Sequence, residues 1–351
     1  MKNIAKLSWI INNACNLKCV HCYPNSGIET RKEFGDDEFE NLRKNLSNTH
    51  FSRVFLSGGE PIIDKNFRKY LDIAKDIADD VYLCSNGTLL TDAKLKELSE
   101  WGVKGIVLSL QAIDKNLSLT IYGSEQVPNN VFNAISLAKK YNFSIGVEIT
   151  MMKQNISSID GIVQELISRD VKFISFKRLM PVGRGTSDNV CITKEENFQM
   201  LEKIFNWQIT NPDIRFNVHD PLYGTILYEH FGSIEKPAIH EWLKSFSCRA
   251  GTRWIGIDPL GNVSPCPLLL YKNTIIGNVM ETPLDDILSK SKLVRLLQNA
   301  EKATSDCKYG AYCLGCRVSA ISKAGDIFSK DPMCVYEGQC PICNIGKGEN
   351  R

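Results

Sequence analysis

The chain reads Cys15-Asn16-Leu17-Lys18-Cys19-Val20-His21-Cys22 directly after its first apolar segment, residues 7–11. Three cysteines therefore lie on one short loop that follows a predicted strand. An iron–sulfur cluster normally takes four cysteine thiolates. A loop with three can hold three irons of a cubane cluster and leave the fourth iron open to another ligand. The spacing alone also allows a disulfide or a zinc site.

Composition indicates an ordinary globular protein. The chain has 351 residues, of which 43% are hydrophobic and 23% charged, and its formal net charge is +2. This length suffices for one large domain or two moderate ones, and the charge gives no sign of binding to nucleic acid or an anionic membrane. No stretch approaches the about 18 apolar residues of a membrane span, and the N-terminal segment lacks the pattern of a signal peptide. We therefore expect a cytoplasmic protein without nucleic-acid or membrane partners.

The 13 cysteines are unevenly distributed, with three in the first 22 residues and eight between Cys248 and Cys343. Disulfides are rare in a reducing compartment, and the odd count argues against a complete disulfide framework. Metal or cluster ligation is the better explanation. Cys84 and Cys191 stand alone, and we predict that both are small core residues.

Apolar and polar segments alternate up to about residue 180. The predicted strands are residues 7–11, 54–56, 81–84, 105–108, 145–149 and 173–176, and the predicted helices are residues 37–46, 66–78, 92–101, 129–141 and 157–169. This alternation predicts an α/β fold of βα units around a parallel sheet. Periodicity alone does not separate a barrel from an open sheet.

The pattern weakens after Gly183. We predict helices at residues 195–209 and 284–299, a linker at 212–236 and a mobile tail at 344–351. From Cys248 on, cysteine, glycine and proline dominate, which is typical of a small domain organised around metal. We expect a first domain over residues 1–235 and a second over residues 236–351.

Polar motifs follow three of the predicted strands. The run Ser57-Gly58-Gly59-Glu60-Pro61 follows the second strand, Ser85-Asn86-Gly87 the third and Ser109-Leu110-Gln111 the fourth. Paired glycines let a backbone approach a ligand closely, and a carboxylate beside them can receive an ammonium group. In a βα barrel, functional residues gather at the carboxyl ends of strands. The motifs therefore predict a site at this edge, although a Gly-Gly-Glu run alone fits a simple turn.

Taken together, these motifs resemble the radical S-adenosylmethionine (SAM) superfamily. The resemblance implies a partial (β/α)6 barrel, open on one side. It also implies a [4Fe-4S] cluster held by Cys15, Cys19 and Cys22, with SAM on the open iron. Reductive cleavage of SAM would then give methionine and a 5′-deoxyadenosyl radical, which abstracts hydrogen from an unactivated carbon.

The same resemblance assigns roles around SAM. It implies that the amino group of SAM is bound by Gly58, Gly59 and Glu60, and that the ribose lies near Ser85, Asn86, Ser109 and Gln111. Ser85 and Gln111 differ from the commonest family residues at these places, but both can form hydrogen bonds. Residues 178–185 resemble a Pro-x-Gly-Arg run expected beside the adenine, and His21 is expected to support the cluster loop through its backbone. No catalytic hydrogen donor or base can be assigned.

The second half resembles the SPASM extension of this superfamily, a small cysteine-rich domain with one or two auxiliary iron–sulfur clusters. The resemblance assigns Cys248, Cys266 and Cys316 to the inner cluster, and Cys307, Cys313 and Cys334 to the outer cluster. The run Cys313-Leu314-Gly315-Cys316-Arg317 fits the usual Cys-Gly-Gly-Cys-Arg of the family.

One position departs from the SPASM pattern, because Thr304 stands where the family usually has a cysteine. We expect Cys340 or Cys343 to supply the missing ligand of the outer cluster, while the inner cluster has only three cysteines. A zinc knuckle formed by the Cys313/Cys316 and Cys340/Cys343 pairs is the alternative for this end of the chain.

The resemblance implies an enzyme that modifies a ribosomal peptide or protein by thioether or carbon–carbon cross-linking, epimerisation or oxidation. The first alternative is a small-molecule substrate, such as a tetrapyrrole in haem d1 or alternative haem synthesis. The second is an iron–sulfur electron carrier, which would have no need of a Gly-Gly-Glu site. Expected partners are the substrate, an electron donor such as flavodoxin or ferredoxin, and, for a peptide, a separate recognition protein. Cys15 leaves no room upstream for a leader-binding domain, which weakens the case for a peptide substrate unless a separate protein recognises the leader.

Overall fold

The computed structural model describes residues 4–27, 34–187, 189–271, 274–300, 305–338 and 341–343. Within these residues one sheet is flanked by helices. Its ten strands are β1 (Lys6–Ile10), β2 (Phe51–Ser57), β3 (Ala78–Ser85), β4 (Gly105–Ser109), β5 (Ser144–Met151), β6 (Phe173–Arg178), β7 (Arg215–Val218), β8 (Trp254–Ile257), β9 (Asn262–Ser264) and β10 (Gly277–Asn278).

The α-helices of the described residues connect and cover these strands. They are α1 (Asp36–Leu46), α2 (Phe67–Asp76), α3 (Asp92–Glu100), α4 (Lys115–Tyr122), α5 (Val127–Ala138), α6 (Ile159–Ser168), α7 (Lys194–Thr210), α8 (Tyr223–Phe231), α9 (Pro237–Lys244), α10 (Leu284–Lys290), α11 (Lys292–Asn299) and α12 (Arg317–Ala324). Short 3-10 helices cover Pro61–Ile63, Lys139–Tyr141, Gly183–Thr186 and Leu269–Tyr271.

Strands β1 to β7 are parallel and lie side by side in chain order. Parallel neighbours need a long crossover, and helices provide it here. The six strands and five helices predicted for the first half are all present, which confirms the βα alternation. On the other side of β1, β8 pairs in parallel, and β9 and β10 extend the sheet antiparallel.

Each strand divides its side chains between two faces of the sheet. In β1, Leu7 and Trp9 are buried against the helices, and the ring of Trp9 meets Tyr70 of α2 edge-on at 5.4 Å. Lys6 and Ser8 point to the opposite face, which we call the inner face. Residues in register on neighbouring parallel strands share a face. The inner face therefore also carries Arg53, Phe55, Ser57, Tyr82, Cys84, Ser109, Glu148, Lys177, Asn217 and Trp254.

The sheet curves so that distant strands approach each other on its inner face. Strands β7 and β8 are separated by six strands in the hydrogen-bonded order. Even so, the ring of His219, directly after β7, lies 5.5 Å from the ring of Trp254 in β8. The described strands form no ladder between β7 and β10, so the sheet is a barrel open on one side. The predicted α/β fold with a partial barrel is confirmed, with β7 as an additional strand.

Two predictions for the second half are wrong. The segment taken as a linker, residues 212–236, contains β7 and α8. Strand β7 has four residues, of which only Phe216 and Val218 are buried, so it is too short to show a period. The single helix expected at 284–299 is divided at Ser291, whose hydroxyl accepts a hydrogen bond from the N–H of Val294 and caps α11. The tail predicted at 344–351 lies outside the described residues.

No helix in the described parts of the chain is long and apolar enough to cross a membrane.

Candidate active site

The three cysteines lie on a loop that leaves the carboxyl end of β1. The loop is closed at its base, because the N–H of Cys15 donates to Gly27 O over 2.8 Å and the N–H of Gly27 donates to Asn13 O over 3.0 Å. Inside the loop, the N–H of Cys22 donates to Cys19 O over 3.3 Å. These bonds fold the loop so that all three thiols share one region.

Donors and neighbouring thiols surround the cysteine sulfurs. The N–H of Leu17 lies 3.4 Å from the Sγ of Cys15, and the N–H of Ser26 lies 3.3 Å from the Sγ of Cys22. Burial, and after it the neighbours Cys22 and Cys15, raises the pKa of Cys19 to about 12. Three close thiols, two of which receive N–H donors, form a suitable set for a cluster, since cluster ligation takes thiolates.

Several buried polar atoms around this loop have no hydrogen-bond partner among the described residues. They are Asn13 Oδ1, His21 Nδ1, Ser26 Oγ and Arg184 Nη2. Buried polar atoms are normally paired, and exceptions often mark an ion or water that is not part of the chain. Together with the thiols, these atoms fit the implied iron–sulfur cluster. In the described residues, no three His, Cys, Asp or Glu side chains are close enough to hold a single metal ion.

The Gly-Gly-Glu turn packs directly against the cysteine loop. A Cβ on Gly59 would overlap the carbonyl of Ala14, and a Cβ on Gly58 would lie 2.6 Å from Asn12 Oδ1. The N–H of Glu60 donates to Ala14 O over 2.8 Å. The two glycines are therefore needed for the close approach of β2 to the loop after β1.

Glu60 connects the ends of β2 and β3. Its side chain is fully buried and accepts hydrogen bonds from Ser85 Oγ over 2.9 Å and from the N–H of Asn86 over 2.8 Å. Burial raises the pKa of Glu60 to about 7, although these donors partly offset the shift. No basic side chain of the described residues pairs with this carboxylate, so the site lacks a cation that would balance it.

Asn86 is the polar residue of this group that faces the cysteines. It is half-buried, and its Nδ2 lies 3.0 Å from Asn16 Oδ1 and 3.9 Å from the Sγ of Cys15. The structure thus brings Glu60, Ser85 and Asn86 to the cysteine loop.

The fourth strand contributes differently. Gln111 is buried, its Oε1 accepts from the N–H of Thr150 over 2.6 Å, and its own carbonyl accepts from Asn155 Nδ2 over 3.0 Å. Through these hydrogen bonds, Gln111 holds the ends of β4 and β5 together. Ser109 is half-buried on the inner face, in register with Glu148.

Gly183 and Arg184 contact the cysteine loop, a role that the sequence analysis did not assign to them. The guanidinium of Arg184 donates to Cys19 O over 2.7 Å and to Ser26 O over 2.7 Å. Gly183 has φ +58°, and a Cβ there would overlap the carbonyls of Cys22 and Tyr23. Residues 178–185 were expected near the adenine, and the structure places Gly183 and Arg184 against the cysteine loop. The Pro-x-Gly-Arg run was the only available signal.

Charged and polar side chains from neighbouring strands meet on the inner face. Lys177 Nζ lies 2.6 Å from Glu148 Oε1, and both side chains are partly exposed. Burial, and next the charge of Lys177, lowers the pKa of His21 to about 4.

The two lone cysteines differ in their surroundings. Cys84 lies on the inner face and not in the apolar core, where it was expected. Cys191 packs against the core as predicted.

The cysteines of the second half form two groups. Burial, and then the nearby Cys248, raises the pKa of Cys266 to about 12. Burial also raises the pKa of Cys316, with Asp331 and Cys248 adding to the shift. Cys248, Cys266 and Cys316 are therefore neighbours. The second group consists of Cys307, Cys313 and Cys334, which the SPASM resemblance assigns to the outer cluster. These three cysteines line one cavity. Thr304 and Cys340 lie outside the described residues, so the zinc alternative, which needs Cys340, stays untested.

A loop with three cysteines at the carboxyl end of β1, packed against a Gly-Gly-Glu turn, defines the class of an iron–sulfur protein with a partial α/β barrel. The comparisons with known families identify it further. The radical SAM superfamily model matches residues 9–166, and the model of the SPASM iron–sulfur cluster-binding domain matches residues 248–317. The chain therefore belongs to the radical SAM superfamily, is an enzyme of that superfamily and carries a C-terminal SPASM domain. These two domains imply [4Fe-4S] clusters and SAM as its cofactors.

Known relatives span nearly the whole chain. An AdoMet-dependent heme synthase of Methanosarcina barkeri is 24% identical over 96% of this chain and 98% of its own length. The mycofactocin maturase MftC of Mycolicibacterium smegmatis is 24% identical over 94% of this chain and 82% of its own. Streptococcus suis SuiB bound to precursor peptide SuiA superposes with a TM-score of 0.76 at 18% identity, over 96% of this chain and 77% of SuiB.

Proposed function

We propose that the protein cleaves SAM reductively and uses the 5′-deoxyadenosyl radical to modify a ribosomal peptide or protein. The modification would be a thioether or carbon–carbon cross-link, an epimerisation or an oxidation. The contact between the cysteine loop and the Gly-Gly-Glu turn carries this proposal, because it places Asn86 within 3.9 Å of Cys15 Sγ and an unbalanced carboxylate, Glu60, behind it. An electron carrier would have no use for this arrangement.

Within this function, each group of residues has a distinct task. We assign cluster ligation to Cys15, Cys19 and Cys22. Arg184 fixes the loop by binding its carbonyls. Glu60 attracts the ammonium of SAM, because an unpaired charge acts strongly in a low-dielectric interior. The remaining SAM-facing positions are proposed as Gly58, Gly59, Ser85, Asn86, Ser109 and Gln111, of which Ser85 and Gln111 act by holding strand ends.

Further proposals concern the domains and the cell. The boundary between the two domains lies near residues 235 and 236, where α8 has ended at Phe231 and α9 begins at Pro237. Reduction of the clusters requires an electron donor such as flavodoxin or ferredoxin. The cytoplasm is the proposed location, because thiolate ligands persist in a reducing compartment.

A peptide substrate is supported by the similarity to MftC and to SuiB, whose structure contains its precursor peptide. The partial barrel is open on one side, and its inner face presents the half-buried pair Glu148–Lys177. Such a pair can bind peptide backbone or side-chain groups without being fully desolvated. A separate recognition protein would complete the binding of a leader sequence.

One observation favours a carboxylated small molecule as the alternative substrate. Three basic residues, Lys6, Arg215 and Arg249, gather at the amino-terminal end of the inner face. Burial, and next the charges of Arg249, Arg53 and Arg215, lowers the pKa of Lys6 to about 8. In the described residues, Lys6, Arg215 and Arg249 form no ion pair with a carboxylate, so they could receive the carboxylates of a tetrapyrrole. The similarity to the heme synthase of Methanosarcina barkeri agrees with this alternative.

The two substrates can be separated with the reconstituted enzyme. The anaerobic protein, with SAM and dithionite, is given small peptides encoded beside its gene in one arm and iron coproporphyrin III in the other. The readouts are 5′-deoxyadenosine and the mass of each added compound. A mass change in a peptide supports the proposal, and turnover of the porphyrin alone supports the alternative. Absence of 5′-deoxyadenosine in every arm would contradict both.

A further inference from the structure

The two cysteine groups of the second domain pack in different parts of the interior. Cys307, Cys313 and Cys334 belong with the main apolar core and line the cavity described above, which we call the outer cavity. Its other lining residues include Tyr336 and Gly338.

A second apolar cluster surrounds the other group. Cys316 and Leu269 are buried members of this cluster, and Cys248 and Cys266 pack against it. The Sγ of Cys316 also lies 3.6 Å from the Sδ of Met180, another buried member. We call this region the inner cluster region.

The C-terminal residues pass from one region to the other. A Cβ on Gly338 would lie 3.3 Å from the Cα of Cys307, so the chain runs along the outer cavity at this point. Ile342 is 1% exposed and is a buried member of the second apolar cluster, and Cys343 packs against the same cluster. Five residues can span at most about 18 Å, which allows this passage.

Cys343 is thus grouped with one set of thiols and not with the other. Among the described residues, the second apolar cluster has four cysteines in or against it: Cys248, Cys266, Cys316 and Cys343. Among the same described residues, Gly338 lines the outer cavity but Cys343 does not. An iron–sulfur cluster normally takes four thiolates, and within the part of the chain that the structure describes the inner region offers four.

We propose that Cys343 is the fourth thiolate of the inner auxiliary cluster, beside Cys248, Cys266 and Cys316. The proposal rests on the SPASM ligand roles assigned above. It revises the sequence-based expectation, which left the inner cluster with three cysteines and gave either Cys340 or Cys343 to the outer cluster.

The assignment has a functional consequence. A cluster with four protein thiolates has no open iron, so the inner cluster does not bind the substrate directly. When bound, such a cluster would supply electron transfer and no iron site for substrate. Direct binding of substrate to iron is then excluded at this cluster.

The test uses the full chain with the substitutions Cys15→Ala, Cys19→Ala and Cys22→Ala, which leaves only auxiliary clusters. In this background, Cys334→Ala removes a ligand of the outer cluster and leaves the inner cluster as the main signal. Adding Cys343→Ala should then lower iron and sulfide content and change the Mössbauer and EPR spectra of the remaining cluster. If the spectra and iron content stay unchanged, the proposal is overturned.

Three matched variants define the comparison. Cys191→Ala removes a cysteine outside both groups and should leave iron and spectra unchanged. Met180→Leu should also leave them unchanged. If Met180→Leu alters the inner cluster and Cys343→Ala does not, the thioether is the ligand and the proposal fails. Cys340→Ala should leave the inner cluster intact, and loss of that cluster in this variant would contradict the assignment.

A second measurement does not depend on whether a variant folds. The intact holoprotein is treated anaerobically with iodoacetamide, and alkylation of each cysteine is followed by mass spectrometry before and after removal of iron with a chelator. Cys343 should be protected in the holoprotein and should become reactive together with Cys248 and Cys266. Rapid alkylation of Cys343 in the holoprotein, at the rate of Cys191, would contradict ligation.

Discussion

Arg178 at the end of β6 donates a hydrogen bond from Nη2 to Oδ2 of Asp331 over 2.9 Å, and both side chains are only 1% exposed. The same carboxylate oxygen accepts the N–H of Cys316 over 2.8 Å. Burial alone would raise the pKa of Asp331, but Arg178 and the backbone donors hold it below its usual range. The barrel and the auxiliary cysteines are therefore joined by a buried ion pair between residues 153 positions apart in the chain.

Replacing Asp331 should destabilise the protein strongly. Asp331→Asn leaves the buried guanidinium of Arg178 with only Asp220, whose Oδ2 lies 3.5 Å from Nε. Breaking a buried pair from one side costs about 3–5 kcal/mol. Anaerobic urea titration of the holoprotein measures the free energy of unfolding. The control is Asp72→Asn, which breaks the exposed pair with Arg68 and should cost less than about 0.5 kcal/mol. Equal losses in the two variants would argue against the buried pair.

Removing the charge of Glu60 should lower the affinity for SAM without lowering the stability of the SAM-free protein. Glu60→Gln keeps the shape, and the rotatable hydroxyl of Ser85 can accept from the new amide. The loss of charge should reduce SAM affinity by roughly 1–3 kcal/mol, the range for hydrogen bonds to charged groups. Calorimetric titration measures the affinity, and the control Glu165→Gln on α6 should leave it unchanged. Unchanged affinity in Glu60→Gln would show that this carboxylate does not act on the ammonium.

A methyl group at Gly183 should displace the cysteine loop. Gly183→Ala introduces a Cβ that overlaps the carbonyls of Cys22 and Tyr23, at a residue with φ +58°. Gly123 has φ +75°, but a Cβ there would have no atom within 4 Å, so Gly123→Ala has the same backbone cost and no overlap. We expect Gly183→Ala to be less stable than Gly123→Ala by about 1–3 kcal/mol, as for overpacking, and to contain less iron. Equal stability and iron in both variants would contradict the contact.

His219 should make stability depend on pH. Burial, and next the charges of Lys177, Arg249 and Lys6, holds the pKa of His219 well below 6.5. Below pH 6.5 the unfolded chain binds a proton that the folded protein does not, so stability falls as the pH falls. This contribution is complete well above pH 6.5 and decreases as the pH falls below 6.5, by at most about 1.4 kcal/mol per pH unit.

The variant His219→Gln keeps an acceptor for Asn217 Nδ2, which lies 2.7 Å from His219 Nε2. Between pH 7.5 and pH 5.5, the free energy of unfolding of this variant should decrease less than that of the original protein, because glutamine does not titrate in this range. Parallel pH curves for the two proteins would show that His219 is not the responsible group.

The sequence predicted those elements and motifs whose structure is determined by residues close together in the chain. The alternation of strands and helices, the loop from Cys15 to Cys22 and the Gly-Gly-Glu turn are each short stretches whose residue types restrict their own backbone. Strand β7 was not predicted because its four residues are too few to show a hydrophobic period. Helices α10 and α11 were predicted as one helix because a single serine separates them.

The missing parts of the site depend on contacts between distant residues. Arg184 binds Cys19 O across 165 positions, and Arg178 binds Asp331 across 153. No periodicity or spacing records such a pair. The proposed role of Cys343 differs from its sequence-based role for the same reason, since spacing places it beside Cys334 in sequence whereas packing groups it with Cys316.

The central claim is that Cys15, Cys19 and Cys22 hold the cluster that cleaves SAM. The most direct measurement is the amount of 5′-deoxyadenosine formed from SAM and dithionite by the anaerobically reconstituted protein. The original protein should form it, and the variant with all three cysteines replaced by alanine should form none while keeping iron in the second domain. Continued formation of 5′-deoxyadenosine by the triple variant would contradict the account.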